Sequence, residues 1–245
     1  MQKHSKTGSV FSENAAQTMI RYVIFDFDGT LADSKEAALT ALNQIADRHR
    51  YKRIAPEALE TLRKLPITER CKLLGWPVYK LPLLATELYG LYKKSIHTVK
   101  LFPGIREMLE ALRENGYETA IISSNSEQNI REFLQASELP FIQHVICSNN
   151  IFGKDKSIKK FLKTHLLQPS EVLYVGDELR DLTACRKCRV KMIWVSWGFD
   201  SQELIRAENP EFMVHAPSEI LQILPSNSGL EKSALNFLEV KRHHN

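Results

Sequence analysis

No stretch of this 245-residue sequence is a long apolar run. A membrane-spanning helix needs about 18 or more consecutive apolar residues, and none of the runs approaches that length. The first twenty residues also lack the apolar segment of a secretory signal peptide. We therefore expect a soluble protein that acts in the cytoplasm and has no membrane partner.

Cysteine is scarce as well: the chain has only Cys71, Cys147, Cys185 and Cys188. Four scattered cysteines are too few for a disulfide framework in a chain of this size. Cys185 and Cys188 form a CxxC pair, but a structural zinc site needs four ligands and no second pair lies nearby. Reduced thiols are the expectation.

Charge of one sign is not concentrated anywhere in the chain. The 33 basic and 29 acidic residues are interspersed, giving a formal net charge of +4 and a pI near 8.8. Without a dense basic run, a nucleic-acid partner is not expected. A weakly basic protein suits small anionic substrates, although a charge this small also serves solubility alone.

What the sequence does contain is a regular alternation of strand and helix patterns. Short apolar, β-favouring runs are separated by segments whose apolar residues recur at helical spacing. The predicted strands are 22–25, 119–122, 144–147, 172–175, 192–195 and 212–214. This alternation predicts an α/β fold, a doubly wound parallel sheet with helices on both faces.

One interval, from Thr30 to Gly104, interrupts the alternation. It is far longer than the usual αβ connection of about 2 to 6 residues, and its apolar residues recur every three or four positions. An inserted α-helical cap domain is the expected structure. The predicted organisation is a flexible N-terminal extension at 1–20, a core at 21–34 and 101–224, a cap at 35–100 and a C-terminal tail at 225–245.

Two acidic pairs follow predicted strands. Asp26 and Asp28 stand in Asp-Phe-Asp-Gly-Thr, where Gly29 would let the backbone approach a ligand closely. Asp177 and Asp181 follow a later strand, so both pairs are expected at the same edge of the sheet. Clustered carboxylates are costly unless a hard cation such as magnesium neutralises them, and that cation would also bridge to phosphate oxygens.

Two further segments offer groups that bind anions. Ser124 and Asn125 end the strand predicted at 119–122 and supply a hydroxyl and helix-start amides. Lys154 and Lys156 lie where the next helix is expected to begin and supply ammonium groups. Sequence spacing leaves open which of the two lysines contacts a phosphate, and either pattern alone is more often a helix cap or a solvated lysine.

Taken together, the four motifs Asp-x-Asp-Gly-Thr, Ser-Asn, Gly-Lys and Gly-Asp-x-x-x-Asp, in this order at successive strand ends, resemble those of the haloacid dehalogenase (HAD) superfamily. The resemblance spans about residues 21 to 224. The insert is similar to the cap of phosphoglycolate phosphatases, sugar phosphatases and β-phosphoglucomutase. The resemblance implies a HAD-like Rossmannoid core and a magnesium-dependent phosphatase acting on a small phosphorylated metabolite, with phosphoglycolate as the nearest candidate.

The same resemblance implies a role for each motif residue. Asp26 would be the nucleophile that forms an aspartyl phosphate, and Asp28 would be the general acid and base, assisted by Ser124 and Lys154. The residues implied to bind the phosphoryl group are Gly29, Thr30, Ser124, Asn125 and Lys154. Those implied to hold Mg²⁺ are Asp26, Asp28, Asp177 and Asp181.

Recognition of the leaving group is expected from the cap. Arg63, Lys64 and Arg70 cluster around a break at Pro66 between two predicted cap helices, where a loop would direct basic groups towards the site, with Lys64 and Arg70 as the candidates for substrate recognition. Two alternatives stay open from the sequence: a sugar phosphomutase of the same superfamily and a non-catalytic binding or regulatory member. The protein is expected to be a monomer or a homodimer.

Overall fold

The computed structural model describes residues 19–148 and 150–224. The tail predicted at 225–245, and nearly all of the extension predicted at 1–20, lie outside the described residues. Within the described part of the chain, no helix is long and apolar enough to cross a membrane.

Strands and helices alternate along the core, as the sequence pattern predicted. The strands found among the described residues are β1 Tyr22–Phe25, β2 Ala32–Asp33, β3 Lys100–Leu101, β4 Glu118–Ser123, β5 His144–Cys147, β6 Val172–Gly176, β7 Lys191–Val195 and β8 Phe212–Val214. The helices are α1 Lys35–His49, α2 Leu59–Arg63, α3 Ile67–Leu74, α4 Leu81–Tyr92, α5 Ile105–Glu114, α6 Glu127–Ala136, α7 Lys154–Thr164, α8 Leu179–Cys188, α9 Gln202–Arg206 and α10 Pro217–Ile223. Short 3-10 helices lie at Pro56–Ala58, Val78–Lys80, Lys93–Thr98 and Pro169–Glu171.

Six strands form one parallel sheet in the order β5-β4-β1-β6-β7-β8. In register, Phe25 at the end of β1 lies opposite Ile121 of β4 and Val175 of β6. The chain leaves β1 towards β4 and β5 and later returns to the other side of β1, so the direction of winding reverses there. The carboxyl ends of β4, β1 and β6 therefore border the crevice where open α/β sheets bind ligands.

The sheet is buried on both faces because successive strand residues point in opposite directions. In β1, Val23 and Phe25 join the core cluster shared with α5 and α6, whereas Tyr22 and Ile24 join the cluster shared with α7 and α8. A fully buried side chain of this size stabilises the fold by about 1.5 to 3 kcal/mol. The predicted doubly wound parallel sheet is confirmed.

The inserted helices α1 to α4 supply most of a further hydrophobic cluster, which includes Ile45, Leu62, Leu84 and Leu91 and is joined by Ile151 of the core. Pro66 stands directly before α3, and Gly75, in the left-handed region at φ 71°, ends it. The antiparallel pair β2 and β3 flanks these helices. The sequence did not predict this pair, because strands of two residues are too short to show a period.

Candidate active site

The first carboxylate of the site, that of Asp26, is fixed by two contacts of its own and by a backbone hydrogen bond of the same residue. Asp26 follows β1, is 2% exposed, and donates its N–H to the carbonyl of Val175 at 2.8 Å. Its Oδ1 accepts from the N–H of Phe27 at 2.7 Å, and its Oδ2 lies 2.5 Å from Nζ of Lys154. The carboxylate is thereby held in one orientation at the centre of the sheet edge.

Lys154, at the start of α7, joins the two acidic pairs. Its buried ammonium group contacts the carboxylates of both Asp26 and Asp181. Burial lowers the pKa of this lysine, but the charges of Asp181 and Asp26 outweigh burial and raise the pKa above its usual value. Lys156, two residues further along α7, is exposed. The structure therefore brings Lys154, and not Lys156, into the site.

Three buried carboxylates, those of Asp26, Asp177 and Asp181, have oxygen atoms within 4.8 Å of one another. Within the described part of the chain, a single ammonium group, that of Lys154, makes ion pairs with this cluster. Burial raises the pKa of Asp177 well above its usual range, and the neighbouring charges of Glu178 and Asp26 raise it further. Burial also raises the pKa of Asp181 to about 7, although Lys154 opposes this.

The charge balance of this cluster fits a bound divalent cation. Three ionised carboxylates and one ammonium leave an excess of negative charge in a buried space, which is costly without a further cation. The donor atoms are all oxygens, the ligands that hard cations such as Mg²⁺ prefer. The three aspartates are thus able to hold a metal, as the sequence analysis predicted for these positions.

Asp177 is oriented by neighbours that carry no charge. Its Oδ1 accepts from the hydroxyl of Thr30 at 2.9 Å, and its Oδ2 accepts from the N–H of Phe199 at 2.6 Å. Thr30 was expected to bind phosphate, and the structure instead engages its hydroxyl with a candidate metal ligand. Phe199 was missed by the sequence analysis because a backbone N–H leaves no mark on residue type. Its place in a loop after strand β7 was the available signal.

Gly29 is required for this close packing. Its φ of +79° is in the left-handed region, and a Cβ at this position would lie 2.5 Å from Oδ2 of Asp177 and 2.6 Å from the ring of Phe199. Only glycine combines that backbone conformation with so close an approach. The loop that carries Asp28 therefore packs directly against the carboxylate of Asp177.

Asp28 lies in a different environment from Asp26. Its Oδ2 accepts from Nδ2 of Asn125 at 2.8 Å, and the buried hydroxyls of Ser34 and Tyr92 lie beside the same carboxylate. Burial and the charge of Asp26 raise the pKa of Asp28 to about 6. A carboxyl group of that pKa is able to donate and accept a proton near neutral pH.

The loop after β4 supplies uncharged polar groups. Oδ1 of Asn125 accepts from the N–H of Ser126 at 2.7 Å and from Nδ2 of Asn129 at 2.9 Å, so both ends of this amide are fixed. Asn129, which the sequence analysis missed, also donates to the carbonyl of Tyr89 in the cap at 3.1 Å. The hydroxyl of Ser124 is buried and has no partner among the described residues. An unpaired buried hydroxyl is costly, which fits a ligand there.

A cavity of about 580 Å³ lies between this cluster and the cap. The core contributes Asp26, Asp28, Ser124, Asn125 and Lys154 to its wall. The contribution of the cap is largely apolar and includes Leu39, Leu42, Leu59, Leu84 and Leu88. These five motif residues of the core thus share one cavity with the inserted helices.

The two cap residues predicted to recognise substrate are placed differently from each other. Arg70 lines the cavity, but its guanidinium is paired with Asp200 of the core and donates to the carbonyl of Leu65 at 2.8 Å. Lys64 is exposed and does not line the cavity. Arg63, one residue earlier at the end of α2, lines it instead. Of the three basic residues around Pro66, the structure thus places Arg63 and Arg70 at the cavity and Lys64 outside its wall.

Comparison with known proteins adds to this geometry. A family model described as "Haloacid dehalogenase-like hydrolase" matches residues 23–195. A phosphoglycolate phosphatase of Synechococcus elongatus is 32% identical over 204 residues, which cover 82% of this chain and 95% of the relative. Pyrophosphatase PpaX of Bacillus cereus is 24% identical over 223 residues, covering 84% and 96%.

Solved structures share the fold. A hydrolase of the haloacid dehalogenase-like family from Streptococcus pneumoniae aligns with a TM-score of 0.69 at 22% identity, covering 83% of this chain and 98% of that one. CbbY from Rhodobacter sphaeroides, solved in complex with phosphate, aligns with a TM-score of 0.64 at 17% identity, covering 82% and 97%.

We predict that Gly29→Ala destabilises the protein by about 1 kcal/mol or more, because alanine is strained at positive φ and its methyl group must displace Asp177. Thermal and urea unfolding measure the change. The matched control is Gly90→Ala in α4, where a Cβ meets no atom within 4 Å. That change should stabilise the helix by about 0.5 to 1 kcal/mol. Equal effects of the two substitutions would contradict the packing described at Gly29.

Proposed function

Because this chain belongs to the haloacid dehalogenase-like hydrolase family, we propose that it is a magnesium-dependent phosphatase that hydrolyses a small phosphomonoester through a phosphorylated Asp26. Phosphatase activity is supported by the phosphoglycolate phosphatase relative. The observation that carries the proposed mechanism is the buried carboxylate of Asp26, held by Lys154 within an acidic cluster at the floor of the cavity.

In the proposed first step, a carboxylate oxygen of Asp26 attacks the phosphorus atom. A bond forms between that oxygen and phosphorus while the bond from phosphorus to the leaving oxygen breaks. Asp28 donates its proton to the leaving oxygen, so the alcohol departs neutral. The raised pKa of Asp28, about 6, supports this role, because a useful fraction of the carboxyl is protonated near neutral pH.

In the proposed second step, Asp28 is ionised and removes a proton from a water molecule as the water oxygen attacks phosphorus. The bond from phosphorus to Asp26 breaks, which releases inorganic phosphate and restores the carboxylate. The unpaired hydroxyl of Ser124 and the ammonium of Lys154 are the donors proposed to bind the phosphoryl oxygens. Splitting hydrolysis into two displacements avoids a single step between water and an anionic ester.

The metal belongs to the same proposal. Asp26, Asp177 and Asp181 would hold Mg²⁺, with the backbone carbonyl of Asp28 as a further ligand implied by the family resemblance. When bound, the ion supplies positive charge that neutralises the carboxylates and the phosphoryl oxygens. Thr30 and the N–H of Phe199 contribute by keeping Asp177 in position.

The substrate is proposed to be a small phosphorylated metabolite, with phosphoglycolate as the nearest candidate. The name of the Synechococcus elongatus relative supports that choice. A cytoplasmic site of action and a monomeric or homodimeric state complete the proposal. Free thiols at all four cysteines agree with a reducing compartment.

We expect Asp26→Asn to abolish phosphate release while leaving the fold intact, because the amide is a poor nucleophile of the same size. Asp28→Asn should lower kcat by about 10² to 10⁴, the usual loss for a general acid and base. Phosphate release from acetyl phosphate and p-nitrophenyl phosphate measures both, with circular dichroism as the check on folding. Turnover at the wild-type rate in Asp26→Asn would falsify the covalent mechanism.

The two lysines of α7 provide a matched pair. Lys154→Ala should reduce kcat/KM by about 10² or more, because it removes a preorganised charge from the transferring group. Lys156→Ala, at an exposed position of the same helix, should change kcat/KM less than threefold, a bound of about 0.6 kcal/mol. The opposite ranking of the two variants would move the phosphate contact to Lys156.

Metal dependence is the remaining expectation. EDTA should silence the enzyme, Mg²⁺ should restore it, and Ca²⁺, which prefers looser coordination by more ligands, should substitute poorly. Asp177→Ala should weaken Mg²⁺ binding in calorimetry more than Asp181→Ala, because Asp181 is paired with Lys154 whereas Asp177 makes no ion pair within the described residues. Full activity of the chelated protein would exclude a metal role.

A further inference from the structure

Five basic side chains line the cavity, together with five carboxylates, those of Asp26, Asp28, Glu36, Glu60 and Glu178. Three of its basic side chains are joined to buried carboxylates, which neutralise them. These pairs are Arg70 with Asp200, Arg180 with Glu178, and Lys154 with Asp26 and Asp181. Two further basic residues of the lining, Lys35 and Arg63, have no such buried partner within the described part of the chain.

Lys35 is the first residue of α1 and is half-buried. Its Nζ lies 6.0 Å from the centroid of the Phe102 ring. Among the described residues, no carboxylate lies within salt-bridge distance of this Nζ. A cation in the first turn of a helix is unfavourable, because the helix N-terminus is itself positive. Burial and the nearby charge of Arg63 also lower the pKa of Lys35, whereas the charges of Asp33, Asp177 and Glu60 oppose this. Those three carboxylates act on Lys35 from beyond salt-bridge distance.

Arg63 is held across the boundary between cap and core. Its Nε donates to the carbonyl of Phe199 at 3.2 Å, and Nη2 donates to the carbonyl of Gly198 at 3.4 Å. The same loop positions Asp177, so Arg63 lies beside the reacting end of the cavity. The carboxylate partner of Arg63 is Glu60, whose side chain is 74% exposed, and an ion pair to so exposed a group contributes little.

We propose that Lys35 and Arg63 form a binding site for a second anionic group of the substrate, so that the substrate class is phosphoryl compounds whose leaving group carries its own carboxylate or phosphate. An anion placed between two like charges removes their repulsion, and each cation gains a charge-assisted hydrogen bond. Much of the remaining cap wall is apolar, including Leu39, Leu42 and Leu88. This inference rests on the proposed phosphatase activity.

The test compares substrates of similar size that differ in the second anion: phosphoglycolate, pyrophosphate and ethyl phosphate. The variants are Lys35→Met and Arg63→Gln. Whichever of phosphoglycolate and pyrophosphate the wild type prefers, each variant should lower kcat/KM for it by about 10- to 100-fold. The loss should arise mainly through KM, because a hydrogen bond to the second anionic group is lost. Turnover of ethyl phosphate should change less than about threefold. Whether phosphoglycolate or pyrophosphate shows the larger loss identifies the anion as a carboxylate or a phosphate.

The matched controls are Lys94→Met and Arg53→Gln, two exposed basic residues of the insert that do not line the cavity. Both controls should leave all three substrates unaffected. The inference would be overturned if Lys35→Met and Arg63→Gln reduced kcat/KM equally for ethyl phosphate, phosphoglycolate and pyrophosphate, or for none of the three. A wild-type preference for phenyl phosphate over phosphoglycolate would overturn it too, by assigning the cavity to an apolar leaving group.

A binding measurement separates this inference from the proposed activity. In the Asp26→Asn background, calorimetry should show phosphoglycolate binding more tightly than ethyl phosphate, and Lys35→Met should remove that difference. If the wild type released no phosphate from acetyl phosphate with Mg²⁺, the proposed function would fail. The second-anion site at Lys35 would still be tested by calorimetry, because binding is measured without turnover. Equal affinities for phosphoglycolate and ethyl phosphate would remove the second-anion site even in an active enzyme.

Discussion

The rest of the site depends on one interaction, in which a buried ammonium group contacts two carboxylates from different elements of the core. Lys154 contacts Asp26 after β1 and Asp181 in α8, and it is almost completely buried. Three buried carboxylates this close would repel one another strongly in a low-dielectric space, and one lysine offsets only part of that repulsion. The remaining negative charge favours binding of a further cation. The parallel sheet supplies the rigid edge that keeps the carboxylates together.

Asp26 and Asp28, separated by a single residue, have carboxylates with different neighbours. The carboxylate of Asp26 contacts the ammonium group of Lys154 and accepts a hydrogen bond from the backbone N–H of Phe27. Asp28 is held by the amide of Asn125 and is raised in pKa by burial and by Asp26 itself. The proposed mechanism assigns the attack to Asp26 and proton transfer to Asp28, whose raised pKa suits it to that role. Neighbouring positions on one loop thus acquire different chemistry from their partners and not from their residue type.

Several polar contacts join the inserted helices to the core, in addition to apolar packing such as that of Tyr92 and Ile96 in the core cluster. Arg70 pairs with Asp200, Arg63 donates to the carbonyls of the loop after β7, and Asn129 of α6 donates to Tyr89 of α4. A buried ion pair contributes little net stability, because desolvation offsets its attraction, but removing one partner leaves an unpaired charge. These contacts consequently fix the orientation of the cap more than they stabilise it. Asn129 also orients Asn125, so a contact with the cap is joined to the amide that holds Asp28.

The pattern of residues along the chain determined the parallel sheet, the helical insert and the positions of the two acidic pairs, because hydrophobic period and strand ends are local properties. Which lysine enters the site was decided by α7: two residues along a helix correspond to a rotation of about 200°, so Lys154 is buried and Lys156 is exposed. The same reason separates Arg63 from Lys64 at the end of α2. The N–H of Phe199 and the pairing of Arg70 with Asp200 depend on residues distant in sequence, so only the tertiary structure brought them together.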